Sequence, residues 1–170
     1  MISWQFITAS IIEPITLSQK GDFIMAYRVE WYKEAHIFYV TYRGNLTDED
    51  IVAANTSLLP HLEASPHPIH ALVNVVGLGH LAVNFMQSLK SEILAQVSAH
   101  PRLGWVLYFN KANPIYVFMA SVNAQRHDER VRFFDSEAEV LAFLQDLGAL
   151  APDDRPSERT LLAESQVIGM

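Results

Sequence analysis

Apolar and polar positions along the chain switch repeatedly between a period of two and a period of 3.6, and the switches divide it into elements. Tyr27-Arg-Val-Glu-Trp-Tyr-Lys33 alternates and is rich in aromatics, the pattern of a half-buried strand. Glu34-Ala35 is short enough for a hairpin, and His36 to Tyr42 follows as a second, more apolar strand ended by Gly44-Asn45. Thr47-Asp-Glu-Asp50 has the spacing of a capping box, with three acids where a helix dipole favours them. Ile51, Ala54, Leu58 and Leu62 then repeat at helical spacing, and Pro60 is expected to kink or shorten that helix. Ile69 to Val76 is almost continuously apolar, as a strand covered on both faces must be.

The same reading continues to the end of the domain. Asn84 is the expected cap of a helix with Met86, Leu89, Ile93 and Val97 on its inner stripe, stopped by His100-Pro101. Trp105 to Phe109 is a buried-strand pattern. Asn113-Pro114 starts a helix to about Gln125 that is apolar on most sides, so it is either deeply buried or meets a partner. Val131 to Phe134 supplies a fifth strand. Ser136-Glu-Ala-Glu139 is a second capping box, and Val140, Leu141, Leu144 and Leu147 form the last inner face before Gly148. The order ββαβαβαβα, with right-handed crossovers, predicts an α/β fold: a mixed, mainly parallel five-stranded sheet flanked by helices.

This places one domain at residues 25–148 of the 170. Residues 1–24 follow neither period. They read as a flexible arm or as a translated leader ahead of a start at Met25, since Gln19-Lys-Gly-Asp22 can be encoded by a purine-rich, ribosome-binding-like stretch. Residues 149–170, rich in Pro and charge, read as a disordered tail.

Composition then removes whole classes of function. A formal charge of −7, with Lys and Arg never in a run, disfavours nucleic acid and anionic membranes. No Cys is present, which excludes disulfides, zinc–thiolate sites and thiol catalysis. Ile7 to Leu17 is broken by Glu13-Pro14 and too short to span a bilayer, and no basic region precedes it as in a signal peptide. A cytoplasmic protein without membrane insertion is expected.

The element order and the central Val73-Asn-Val-Val-Gly-Leu78 resemble the STAS superfamily, the anti-sigma-factor-antagonist domains and their relatives on sulphate transporters. That superfamily carries a Val-Asp-Leu-Ser-Gly-Val type strand end, and Asn74 stands in the acid's place. Residues 130–144 resemble its final strand and capped helix, and Leu103-Gly-Trp105 and Asn113-Pro114 resemble a bacterial branch of it. The resemblance covers 25–148. It implies a regulatory domain whose switch is a phosphorylated Ser or Thr at the start of the helix after the central strand. Leu81-Ala-Val-Asn84 offers no hydroxyl there, and Ser88 lies a turn further on, so that switch does not carry over.

The residues singled out are Gly77, Leu78, Gly79, His80, Val83, Asn84, Phe85 and Ser88, the strand-end loop and helix start. Leu78, Leu81, Val83 and Phe85 cannot all point inward from one short loop, which favours a protein partner there. A homodimer is compatible with the same surface. Asn74 and Asn84 are explained by strand-end satisfaction and capping, His80 by a solvated loop, and His61, His67 and His70, interrupted by three prolines, by a surface connector. No metal, cofactor or catalytic set is expected: there is no HxxxH pair, nucleophile elbow or dinucleotide fingerprint. The expectation is a non-enzymatic regulatory or scaffold domain. The alternative is a domain holding a small or lipid-like molecule in an apolar pocket between sheet and helices.

Overall fold

The structure, a computed structural model, describes residues 26–82, 84, 87, 90–110, 114–154 and 160–164. The arm or leader read at 1–24 lies outside these residues. Strands β1 (Tyr27–Lys33) and β2 (Ile37–Tyr42) form the expected antiparallel hairpin. Its turn, lacking Gly, places Ala35 at φ 60°, which costs an L residue roughly 1 kcal/mol. After β3 (Gly44–Thr47), helix α1 runs over Asp48–Ala64. The Thr47 hydroxyl accepts the Asp50 amide at 3.2 Å, and the Asp50 carboxylate accepts the Thr47 amide at 3.0 Å, so the capping box forms in full. Pro60 does not shorten α1, because Leu62 beyond it is completely buried and holds the last turn against the core.

The remaining elements are β4 (Ile69–Asn74), β5 (Leu78–Ala82), α2 (Glu92–Ser98), β6 (Leu103–Phe109), α3 (Pro114–His127), β7 (Arg130–Phe133), α4 (Glu137–Asp146) and β8 (Thr160–Glu164). The main sheet has the order β7-β6-β4-β2-β1-β8. Pairs β2/β4, β4/β6 and β6/β7 are parallel, while β1/β2 and β1/β8 are antiparallel. The mixed, mainly parallel sheet is therefore present. It has six strands where the hydrophobic pattern indicates five, and β3 and β5 add a separate two-stranded parallel sheet.

Three local readings change. Ser91, whose hydroxyl accepts the Leu94 amide, caps α2; Asn84 does not, and Met86 and Leu89 of the expected stripe lie outside the described residues. Glu139 accepts the amide of Asp135, one residue before the Ser136 cap, so the second capping box is offset. Beyond Gly148, Leu150 is buried in the core, Asp154 pairs with Lys33, and β8 covers the outer edge of β1. That cover explains why β1 is buried along most of its length instead of on alternate residues.

The three parallel crossovers all step the same way across the sheet, from β2 to β4 to β6 to β7. Right-handedness then puts α1, α2 and α3 on one face. There Ile51, Leu58, Val97 and Tyr116 meet Val40, Ala71, Val73 and Val106. On the other face, α4 sends Val140 and Leu144 onto Ile37, Tyr39, Leu72, Leu107 and Phe109.

At the start of β4, His70 is part of the sheet and not of a surface connector. Its Nδ1 accepts the Trp105 amide at 2.9 Å, which fixes the start of β6 against β4. A Cβ on Gly104 would stand 2.5 Å from that same nitrogen. We expect Gly104→Ala to push the imidazole away and lower stability by about 1–3 kcal/mol. In a His70→Ala background the same substitution should cost much less; chemical denaturation of the four variants measures the coupling, and equal losses in both backgrounds would refute it.

Candidate functional site

The sequence directs attention to the carboxyl end of β4. There Gly77 takes φ 71°, with nothing within 4 Å of where a Cβ would stand, and Val76 beside it is 41% exposed. Leu78 packs against the core. The backbone of Leu78–Ala82, including Gly79 and His80, is β5 and pairs with β3, so this segment is a strand and not a free loop. Asn84 is exposed and gives its amide to the Asp48 carboxylate at 2.8 Å, joining the segment to the first turn of α1. Val83, Phe85 and Ser88 lie outside the described residues.

Asn74 has a structural explanation. Its Nδ2 donates to the Tyr39 hydroxyl at 3.1 Å, and its Oδ1 accepts the Val76 amide at 3.0 Å and Asn110 Nδ2 at 2.9 Å. The histidines are dispersed as well. His61 packs edge-on against Trp31, and His67 stacks on His36. Among the described residues no group of three His, Asp or Glu could hold a metal ion.

The most site-like feature lies elsewhere, under the three helices. Val40, Ala71, Val73 and Val106 are small for the face they occupy, and α1, α2 and α3 bridge over them without filling the space. A cavity of about 100 Å³ remains. Its apolar wall is completed by Ile51, Leu58, Leu94, Val97 and Met119, and three tyrosines, Tyr42, Tyr108 and Tyr116, stand along it. Their rings pack at 5.7 Å for Tyr108–Tyr116 and 6.2 Å for Tyr42–Tyr116. The Tyr108 and Tyr116 hydroxyls are hydrogen-bonded to one another, and burial pushes the pKa of all three tyrosines up, so they stay neutral.

One end of the cavity is polar. Asn123, in the last turns of α3, uses one amide hydrogen on Ser98 Oγ at 2.8 Å and the other on Glu129 Oε2 at 3.2 Å. Ser98, the last residue of α2, also bonds the Glu129 carboxyl. Desolvation outweighs both hydrogen bonds and pushes the Glu129 pKa up from 4.5 to about 7. Ser98, Leu103 and Glu129 also line a polar surface groove of about 550 Å³ that includes His70, His100, His127 and Arg130. The cavity thus has a threshold at the amino-terminal edge of the parallel strands, opposite the end the sequence points to. Nothing in Gln125-Arg-His-Asp-Glu129 resembles a motif. The only sequence signal was that the helix at 114–125 is apolar on most sides.

No protein-family model matches the sequence, and no curated protein does. Among solved structures, the crystal structure of an uncharacterised DUF3478-family protein from Shewanella loihica PV-4, described as having a SpoIIAA-like fold, superposes with a TM-score of 0.50. It covers 71% of this chain and 93% of that one at 17% identity. The fold is SpoIIAA-like. At that identity the SpoIIAA-like likeness establishes the STAS architecture expected from the sequence and leaves function to the site. No helix among the described residues is long and apolar enough to cross a membrane.

Glu129 makes stability depend on pH in a definite direction. A carboxyl whose folded pKa is raised binds a proton in the native state that the unfolded chain has already released, so stability falls as pH rises from about 4.5 through about 7. Glu129→Gln should therefore match the parent chain at pH 4 and melt higher above pH 7. Melting curves followed by circular dichroism across that range check this; parallel curves for the two proteins would refute the buried-acid assignment.

Proposed function

We propose that this SpoIIAA-like domain is a non-catalytic binding domain that holds a small, largely apolar molecule between its sheet and helices α1–α3. The observation that carries this reading is the cavity of about 100 Å³, apolar along its body and polar at one threshold. Pockets for small molecules have this make-up: hydrophobic and aromatic walls with a few polar groups that fix orientation. An empty apolar cavity of about 150 Å³ takes benzene, so the smaller space here, about 100 Å³, suits a chain of a few carbons.

A second reading keeps residues 77–88 as a docking surface for a protein partner. It is supported by the exposure of Val76 and by the open space around Gly77. The two surfaces lie at opposite ends of the strands, and ligand occupancy and partner docking can be tested separately.

Native mass spectrometry of the purified chain should show a fraction carrying extra mass from a co-purifying small molecule. Met119→Trp, which fills the cavity, should remove that mass, while Val76→Asp should leave it unchanged. A single peak at the polypeptide mass, together with a melting temperature insensitive to small alkyl compounds, would overturn the proposal. Loss of partner capture in Val76→Asp with ligand retained would favour the second reading.

A further inference from the structure

The polar threshold narrows the kind of molecule the cavity can take. Glu129 is a partly buried acid, and among the described residues it forms no ion pair. Its only hydrogen-bond partners there, Ser98 and Asn123, are neutral. Both stand in the last turns of helices, whose carboxyl ends carry negative partial charge. Tyr108 and Tyr116, packed on each other, stand on the cavity wall with the acid. Carboxylate and helix carboxyl ends favour a positive charge on whatever enters, and an apolar body is required behind it.

We propose that the cavity takes a primary alkylammonium ligand, its ammonium on the Glu129 carboxylate and Ser98 hydroxyl and its short chain against Ala71, Val73 and Val106. This rests on the cavity being a binding site, as argued above. The ligand supplies the counter-charge that the described residues do not give Glu129. The groove shared at Ser98 and Glu129 provides the way in.

The pH dependence follows. The alkylammonium remains charged up to about pH 10, as a lysine does. Glu129, at about 7 in the free protein, must be ionised to pair with it, so affinity rises about tenfold between pH 6 and pH 8. The other titratable and charged groups around it act in known ways. Tyr42, Tyr108 and Tyr116 stay neutral over that interval. His70, His100 and His127, together with Asp128 and Arg130, line the adjoining groove. Burial, then the Arg130 and His36 charges, hold the His70 pKa down.

Calorimetric titration of the full chain with n-butylamine, 1-butanol and butyrate at pH 6 and pH 8 tests this. The expected result is that n-butylamine binds best, about tenfold tighter at pH 8, and that butyrate does not bind. In Glu129→Gln, checked for folding by circular dichroism, n-butylamine should bind no better than 1-butanol. Asn123→Ala, which frees the carboxylate from one donor but keeps its charge, should retain the preference for the amine. Equal or tighter binding of 1-butanol or butyrate, an affinity for n-butylamine that does not rise with pH, or no binding by any of the three would overturn the ammonium proposal. The butanol result would do so while leaving the cavity as a binding site, because an apolar alcohol needs the space and not the charge.

Discussion

Every other feature of this structure depends on the sheet being covered on both faces while its parallel strands grow in one direction. Each step from β2 to β4 to β6 to β7 requires a crossover, and right-handed crossovers in one direction all land on the same face. Three helices are therefore crowded over β2, β4 and β6, while the opposite face has only α4 and the chain that follows it. Strand β4, in the middle, serves both: Ala71 and Val73 face the three helices, and Leu72 faces α4. A one-residue slip would exchange those sets and bring Leu72 against α1–α3, so the register is strongly fixed.

The cavity is a consequence of that crowding. Helices packed side by side over a twisted sheet can approach it only as far as one another's side chains allow, and the sheet positions beneath them carry Ala and Val rather than Leu or Phe. Filling the gap with Leu at Ala71 would add favourable contacts of a kind that proteins readily acquire. The space remains, and its polar residues converge from α2, α3 and the turn before β7. Ser98, Asn123 and Glu129 belong to three different segments and meet only because the crossovers stack those segments on one face.

Much of the architecture was legible in the sequence because it depends on local periodicity. The apolar run at 69–76, the Thr47 cap and the stripe Ile51, Ala54, Leu58, Leu62 each state their own environment, and the structure agrees except that the strand ends at Asn74 and leaves Val76 exposed. What failed depended on distant parts of the chain. Thr160–Glu164 is a strand because the edge of β1 is available to it, which Leu161 and Leu162 alone do not announce. The sequence points to Asn84 as a cap, and only the geometry of α2 shows that Ser91 caps it. The site was less legible than the fold for the same reason: Glu129 is an ordinary loop acid until Ser98 and Asn123, 31 and 6 residues away in sequence, are brought to it.

The strand end that drew attention first is a lock. Asn74 both donates, to Tyr39, and accepts, from Val76 and Asn110, so one side chain ties β4 to β2 and to the end of β6. An acid at this position would offer acceptors only. Tyr39 would then have to turn its hydroxyl inward to donate, giving up its contact with Glu137 in α4. An amide satisfies every neighbour without a charge in a position that is 7% exposed, where an ionised carboxylate would have to be desolvated. The carboxyl end of the central strands is thus held by neutral hydrogen bonds. Glu129, a partly buried acid, lies instead at the opposite end of the strands, beside the apolar cavity.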